Sequence, residues 1–349
     1  MRRLSDGMLL MIVGAALGPL GLNVLSQRTL SVIDPAMPVA LVALGMLVGL
    51  GVEGQRAREG RLAGAAIIET ALTTAAVAAG VMLIAPVWGA STRLPFWLVA
   101  LVLGICAAPS AAASLHASED SQSPARRVGD MDGLLSIALG GAALALLREQ
   151  SSPIDAVPVL LQACAVSIVI VLAAWLLIRA SSSETEQRVF TAALLLLLGG
   201  AADYLSLSAL LSGLIGGVFL QIIGGPARDS VRRDVFHFQR PLLVLVLIVS
   251  GARLELQTPW LGLGVIYVLI RTAAKLAGGW AARRVVGPVA SDNLGLSLLA
   301  PGILGLAFAL NVVRAAGPDA APILAVAAVG ALGSDVIASF TGRQSGAAE

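Results

Sequence analysis

The sequence is poor in charge. Asp, Glu, Lys and Arg make up 13% of its 349 residues, about half of what a soluble globular chain carries. The longest polar stretches are 53–61, 117–127 and 228–240, which leaves no room for a soluble domain. Lysine is almost missing: Lys275 is the single one among 23 basic residues. The two cysteines, Cys106 and Cys164, both fall inside apolar runs; they read as small buried hydrophobes and exclude a disulfide framework. The two histidines, His116 and His237, read as isolated loop residues, so neither a metal site nor a cofactor is expected. There is no phosphate-binding loop, nucleophile elbow or HExxH, and the chain is not expected to be an enzyme. The basic stretch 228–240 reads as an orientation signal and lipid-headgroup contact rather than a nucleic-acid site.

What is present is apolar length. Hydrophobic residues reach 57% and mean hydropathy is +0.90. The runs are about 20 residues long, as helices crossing a bilayer require, and do not alternate as barrel strands would. The chain reads as an all-α membrane protein with about twelve transmembrane helices, at 7–25, 35–52, 62–84, 94–114, 125–147, 156–179, 188–203, 205–224, 240–254, 258–282, 292–313 and 320–340. Met1-Arg2-Arg3 and the run behind it have no convincing cleavage site and read as the first span, not a signal peptide. Basic residues test the count. The N-terminus and alternate loops hold Arg2, Arg3, Arg56, Arg58, Arg61, Arg126, Arg127, Arg179, Arg188, Arg228, Arg232, Arg233, Arg240, Arg283, Arg284 and Arg343; the other loops hold Arg28, Arg93, Arg148, Arg253 and Arg314. This asymmetry predicts that both termini are cytoplasmic, and the chain is expected in the inner (cytoplasmic) cell membrane.

Two pairs of segments rhyme. LVLGICAAPSAAA (101–113) and GLSLLAPGILGLA (295–307) each carry Ala-Pro in mid-segment, at Pro109 and Pro301. LGMLVGLGVEG (44–54) rhymes with LVLIVSGARLE (245–255). Both rhymes are offset by seven segments, and an odd offset reverses orientation. The reading is a single membrane domain of two inverted five-helix repeats, 1–147 and 205–349, joined by connecting helices in 148–204. Proline removes a helical hydrogen bond, so helices 4 and 11 are expected to break and cross in the core. Such breaks expose carbonyls and helix ends that hold ions in transporters.

Few charged residues fall inside spans: Glu69, Asp130, Asp132, Arg271, Lys275 and Asp335. Asp132 lies roughly 10 Å into its helix and Lys275 about 12 Å from the cytoplasmic end of its own, at 1.5 Å per residue. They share a depth and can neutralise each other. A carboxylate that binds either a cation or a proton couples the two flows. Arg271 stands one turn from Lys275 on the same face. Asp130 reads as interfacial, Glu69 as shallow and able to snorkel or to pair with a loop arginine, and Asp335 as a counter-charge to Arg271.

In order, these motifs resemble the monovalent cation:proton antiporters, or sodium/hydrogen exchangers. Gly18-Pro19-Leu20-Gly21-Leu22 resembles the family's first-helix ending, and Gly45 to Glu53 its Gly-Leu-Glu helix end. Ala108-Pro109-Ser110 falls at its broken fourth helix. Met131-Asp132 falls where relatives carry Asn-Asp or Asp-Asp. Residues 250–256 look like its Gly-x-x-Leu-x-Leu stretch. Arg271 to Lys275 occupies the place of its basic residue, and Leu299-Ala300-Pro301-Gly302 resembles its Leu-Pro-x-Gly break. The resemblance implies a homodimer in membrane lipid. In each protomer a core domain slides past a dimerisation domain in an elevator motion. Asp132 carries the cation or proton, and Lys275 or Arg271 is its partner.

Three positions depart from the family. Met131 replaces a polar neighbour, which points to electroneutral exchange. Ala107-Ala108 stand in place of a polar pair, leaving Ser110 as the nearest hydroxyl. Ile303 stands where many relatives have Glu. The site is expected to be poor in oxygen ligands. The reading is a secondary transporter exchanging sodium or potassium for protons. The alternatives are a non-transporting sensor or assembly subunit of the same fold, and an organic anion carrier that uses Arg271 and Lys275.

Overall fold

The computed structural model describes residues 5–51, 59–86, 92–110, 124–149, 154, 156–255, 258–287 and 294–345. Glu53, Arg2, Arg3, Arg56, Arg58 and His116, which entered the sequence reading, lie outside them. The described residues form helices and no strand: α1 (Asp6–Leu17), α2 (Gln27–Ile33), α3 (Ala36–Leu50), α4 (Glu59–Ile84), α5 (Phe96–Ala107), α6 (Pro124–Glu149), α7 (Ala156–Ala180), α8 (Glu184–Tyr204), α9 (Ala209–Ile223), α10 (Pro226–Ala252), α11 (Thr258–Val286), α12 (Leu294–Ser297), α13 (Ile303–Ala316) and α14 (Ala321–Ser345). A single 3-10 turn links α13 to α14.

Each expected segment overlaps a helix. By length and composition, however, six helices qualify to cross a bilayer, or seven if α2 and α3, bent by 52°, act as one span. Several helices are short because local chemistry stops them. α1 ends at Leu17, before Gly18-Pro19, and the expected run to residue 25 is instead a set of turns with Asn23 at φ 53°. Twelve residues of helix reach only about 18 Å. The chain is a multi-pass membrane protein.

The polar stretch 228–240 is not a loop, a correction to the sequence reading. Gly225, at φ 81°, and Pro226 start α10, which runs without a break to Ala252. Ala227, Val231 and Val235 recur every fourth residue and are buried with Ser230 and Asp234. Arg233, Phe236 and Arg240 face outward. The half of the helix that looked like a loop is amphipathic, and its apolar stripe is too narrow to raise mean hydropathy. His237 sits on the outer face of this helix rather than in a loop.

The helices pack as two groups. One holds α1, α3, α7, α8, α9 and α10; the other holds α4, α5, α6, α11, α12, α13 and α14. In the first group α3 and α9 touch backbone to backbone. A Cβ on Gly45 would stand 2.1 Å from the Leu210 carbonyl oxygen, and one on Gly213 would stand 2.0 Å from that of Val42. Small residues four apart allow such close approach in membranes, where packing rather than water drives association. α6 and α13 form most of the face that the second group presents to the first.

Two breaks organise the second group. α5 ends at Ala107 and α12 at Ser297, and α13 resumes only at Ile303. Pro109 and Pro301 lie in the gaps, where each lacks the N–H that would continue the ladder. The freed chain runs extended. Ser110 and Pro301 pair as an antiparallel bridge, and Gly302 N donates to Pro109 O at 3.0 Å. A Cβ on Gly305 would meet the Cys106 carbonyl oxygen at 2.4 Å, so the crossing requires glycine there.

Candidate functional site

The crossing brings backbone carbonyls into an apolar interior, and the neighbouring helices supply the charges that meet them. Arg271 and Lys275, one turn apart on α11, both point at it. Arg271 donates from Nε to Ala107 O (2.9 Å), from Nη1 to Leu299 O (2.8 Å) and from Nη2 to Pro109 O (3.3 Å). One guanidinium thus holds the ends of both broken helices. Its planar array of donors suits this better than an ammonium would. The C-terminal carbonyls of α5 carry partial negative charge, which a cation offsets.

Lys275 is fully buried. Its Nζ lies 3.0 Å from Asp132 Oδ2 and 2.9 Å from Glu69 Oε1. It also donates to Ser110 Oγ at 2.9 Å and to the Ala108 carbonyl. Asp132, on α6, accepts from Ser110 Oγ at 2.8 Å and from Thr70 Oγ1 at 3.1 Å. Glu69, on α4, accepts from Thr73 Oγ1 at 2.9 Å, while its Oε2 is buried with no hydrogen-bond partner. Glu69, Asp132 and Lys275 have no exposed surface. An unpaired ion at such a place costs several kcal/mol, so mutual neutralisation holds the arrangement together.

The ammonium nitrogen is surrounded by Glu69 Oε1, Asp132 Oδ2, Ser110 Oγ and the Ala108 carbonyl oxygen. These are the hard oxygen donors that an alkali cation takes. The position held by Nζ therefore has the ligand character of a small monovalent cation site. Protonating either carboxylate would remove one of its charges.

Of the residues singled out from sequence, Asp132, Lys275, Ser110, Pro109 and Pro301 come together here. Arg271 joins them through carbonyls rather than through an acid. Glu69 belongs to the same cluster, against its reading as a shallow residue near a loop arginine. Asp335 does not meet Arg271: its Oδ2 accepts from Ser5 N at 2.9 Å. Asp130, two residues from Asp132 and so on another face of α6, is exposed. Met131 packs with the apolar cluster of Leu62, Ala65, Val128 and Leu298. Ile303 is buried at the start of α13.

Thr70 and Thr73 were missed. They bring hydroxyls from α4, so the site is richer in oxygen than Ala107 and Ala108 suggested. The spacing of Glu69 and Thr73, four apart on one helical face, was the available signal.

No family model and no curated protein matches the chain. Solved structures do, and two of them are these. The sodium proton antiporter MjNhaP1 from Methanocaldococcus jannaschii, at pH 8, superposes with a TM-score of 0.65 and 15% identity, covering 96% of this chain and 89% of that one. The same antiporter determined by electron microscopy gives a TM-score of 0.65 and 16% identity, covering 97% and 90%. With nearly the whole length of both chains aligned, this chain has the cation:proton antiporter fold.

Proposed function

We propose that the protein is a secondary transporter that exchanges a monovalent cation, sodium or potassium, for protons. The observation that carries this reading is Lys275 Nζ held between Asp132 and Glu69 where two broken helices cross. With both acids ionised and Lys275 charged, the three side chains sum to one negative charge. One cation or one proton brings that sum to zero. Both loaded forms are then neutral, and one-for-one exchange moves no net charge through the low-dielectric interior. This supports an electroneutral exchanger. A loaded site crosses easily and an unloaded one does not, which couples the flows.

The pairing of helices supports two inverted repeats within about twelve spans. α1 packs on α10 as α9 packs on α3. α4 packs on α11, so the third helix of each repeat meets its counterpart, and α5 meets α13 as the broken pair. The two helix groups fit a core carrying the site and a scaffold against which it slides. The Ser5–Asp335 contact keeps the start of α1 and the far part of α14 on one side, in line with two cytoplasmic termini. Homodimerisation and surrounding lipid belong to the same reading.

An anion carrier is disfavoured because Arg271 is committed to three carbonyls and Lys275 to two acids. The test is exchange in proteoliposomes carrying a pH-sensitive dye. A sodium or potassium gradient should drive proton flux, and Asp132→Asn should reduce it to the level of empty vesicles. If the parent protein gives no flux with sodium, potassium or lithium, the exchanger reading fails and a non-transporting role takes its place.

A further inference from the structure

Away from the site, the far end of α13 carries a second ionic arrangement that the exchange chemistry does not use. Arg314, in the last turn of α13, pairs with Asp34 between α2 and α3, and donates to the Asp34 carbonyl at 2.7 Å. Its Nη2 reaches Asp203 Oδ1, in the last turn of α8, at 2.7 Å. Asp34 Oδ1 also receives Arg253 Nη2, just past α10, at 2.7 Å. The charges alternate as Arg253, Asp34, Arg314, Asp203. One turn back on α13, Asn311 Nδ2 donates at 3.0 Å to Ser208 Oγ, which also caps α9.

Membership follows the division of the fold. Arg314 and Asn311 belong to the group that carries Asp132 and Lys275; Asp34, Asp203, Arg253 and Ser208 belong to the other. Asp203 stands at a helix C-terminus, where a carboxylate opposes the helix dipole, so Arg314 offsets an unfavourable charge. Arg253 also pairs with Asp34, from within the group that holds that acid, so the departure of Arg314 would not strand it. All four charged residues lie at the ends of spans that the basic-residue asymmetry assigns to the non-cytoplasmic side.

We propose that Arg314 and Asn311 form a clasp on the non-cytoplasmic face. It holds the two groups together there and must open before the site is exposed to that side; this rests on the alternating-access reading above. Arg314 and Arg253 are partly exposed, so the clasp weakens as salt rises.

The test uses a reporter cysteine at the boundary. Leu211, on α9, is buried against Gly141 of α6. Leu211→Cys is placed in a full-length chain with Cys106→Ala and Cys164→Ala, and labelled from outside in vesicles with an impermeant maleimide. Arg314→Gln and Asp203→Asn should each raise the labelling rate roughly fivefold, the scale of one ion pair. High salt should raise it in the reporter protein and have little further effect in Arg314→Gln. The salt arm needs no variant of the clasp and decides the matter if those variants do not fold. Labelling rates unchanged by both salt and substitution overturn the clasp, even where the parent exchanges cations. A parent without flux whose labelling still rises overturns the exchanger and leaves the clasp standing.

Discussion

Glu69 and Asp132 share one ammonium group: Lys275 Nζ lies 2.9 Å from Glu69 Oε1 and 3.0 Å from Asp132 Oδ2. The two acids come from different helices, and neither has another basic partner at that distance among the described residues. They should therefore act together but not identically. Asp132 has both oxygens hydrogen-bonded, whereas Glu69 keeps Oε2 free. Asp132→Asn should abolish exchange. Glu69→Gln should retain the fold and raise the cation concentration for half-maximal flux by about tenfold or more, the effect of one lost charge–ligand contact. Dye-reported flux against cation concentration checks both.

Competition between one proton and one cation fixes the pH response. In the range where the site is mostly protonated, the half-saturating cation concentration should rise about tenfold for each unit of pH lowered. Maximal flux at saturating cation should change much less over the same range. A slope near two decades per unit would mean two protons compete and would end the electroneutral reading.

Replacing Lys275 with Gln leaves two buried acids without their counter-charge. Loss of one member of a buried ionic cluster costs on the order of 3–5 kcal/mol, so the melting temperature in detergent should fall clearly. Any exchange that remains should become sensitive to membrane potential, because two acids without the ammonium reach neutrality only with two protons, and two protons against one cation move net charge. Flux measured with and without a potassium–valinomycin potential reads this directly, and the parent should show no difference.

Arg271 is a positioning residue. Arg271→Gln removes charge-assisted bonds to carbonyls on both sides of the crossing, each worth about 1.5–3 kcal/mol. Thermal unfolding should show a loss of several kcal/mol. Arg271→Lys should restore part of it, since an ammonium cannot span all three acceptors. At the crossing itself, Gly305→Ala sets a methyl against the Cys106 carbonyl. It should cost about 1–3 kcal/mol and slow exchange with little change in half-saturation.

The Asp132–Lys275 pair was legible because depth along a helix is countable and charge in a membrane is rare. The two prolines marked the breaks for the same reason: each removes a donor that the ladder needs. Arg271's partners were invisible, since every one is a main-chain carbonyl and no side chain signals it. Glu69 was misplaced because counting from a loop gives depth but not what stands beside the helix. Thr70 and Thr73 were passed over since hydroxyls bond to their own helix as readily as to an acid across the way. The buried stripe on the first half of α10 was hidden beneath its arginines.

The bridge between Ser110 and Pro301, with Gly302 N on Pro109 O, joins main chain to main chain. Its geometry asks for proline and glycine at a few places and is indifferent to most side chains around it. Side chains such as those of Ala107 and Ala108 can therefore vary without disturbing the main-chain joint that holds the site. A joint made of main chain asks for a shape rather than for particular letters, and a likeness of fold at 15% identity over almost the whole chain is compatible with that tolerance.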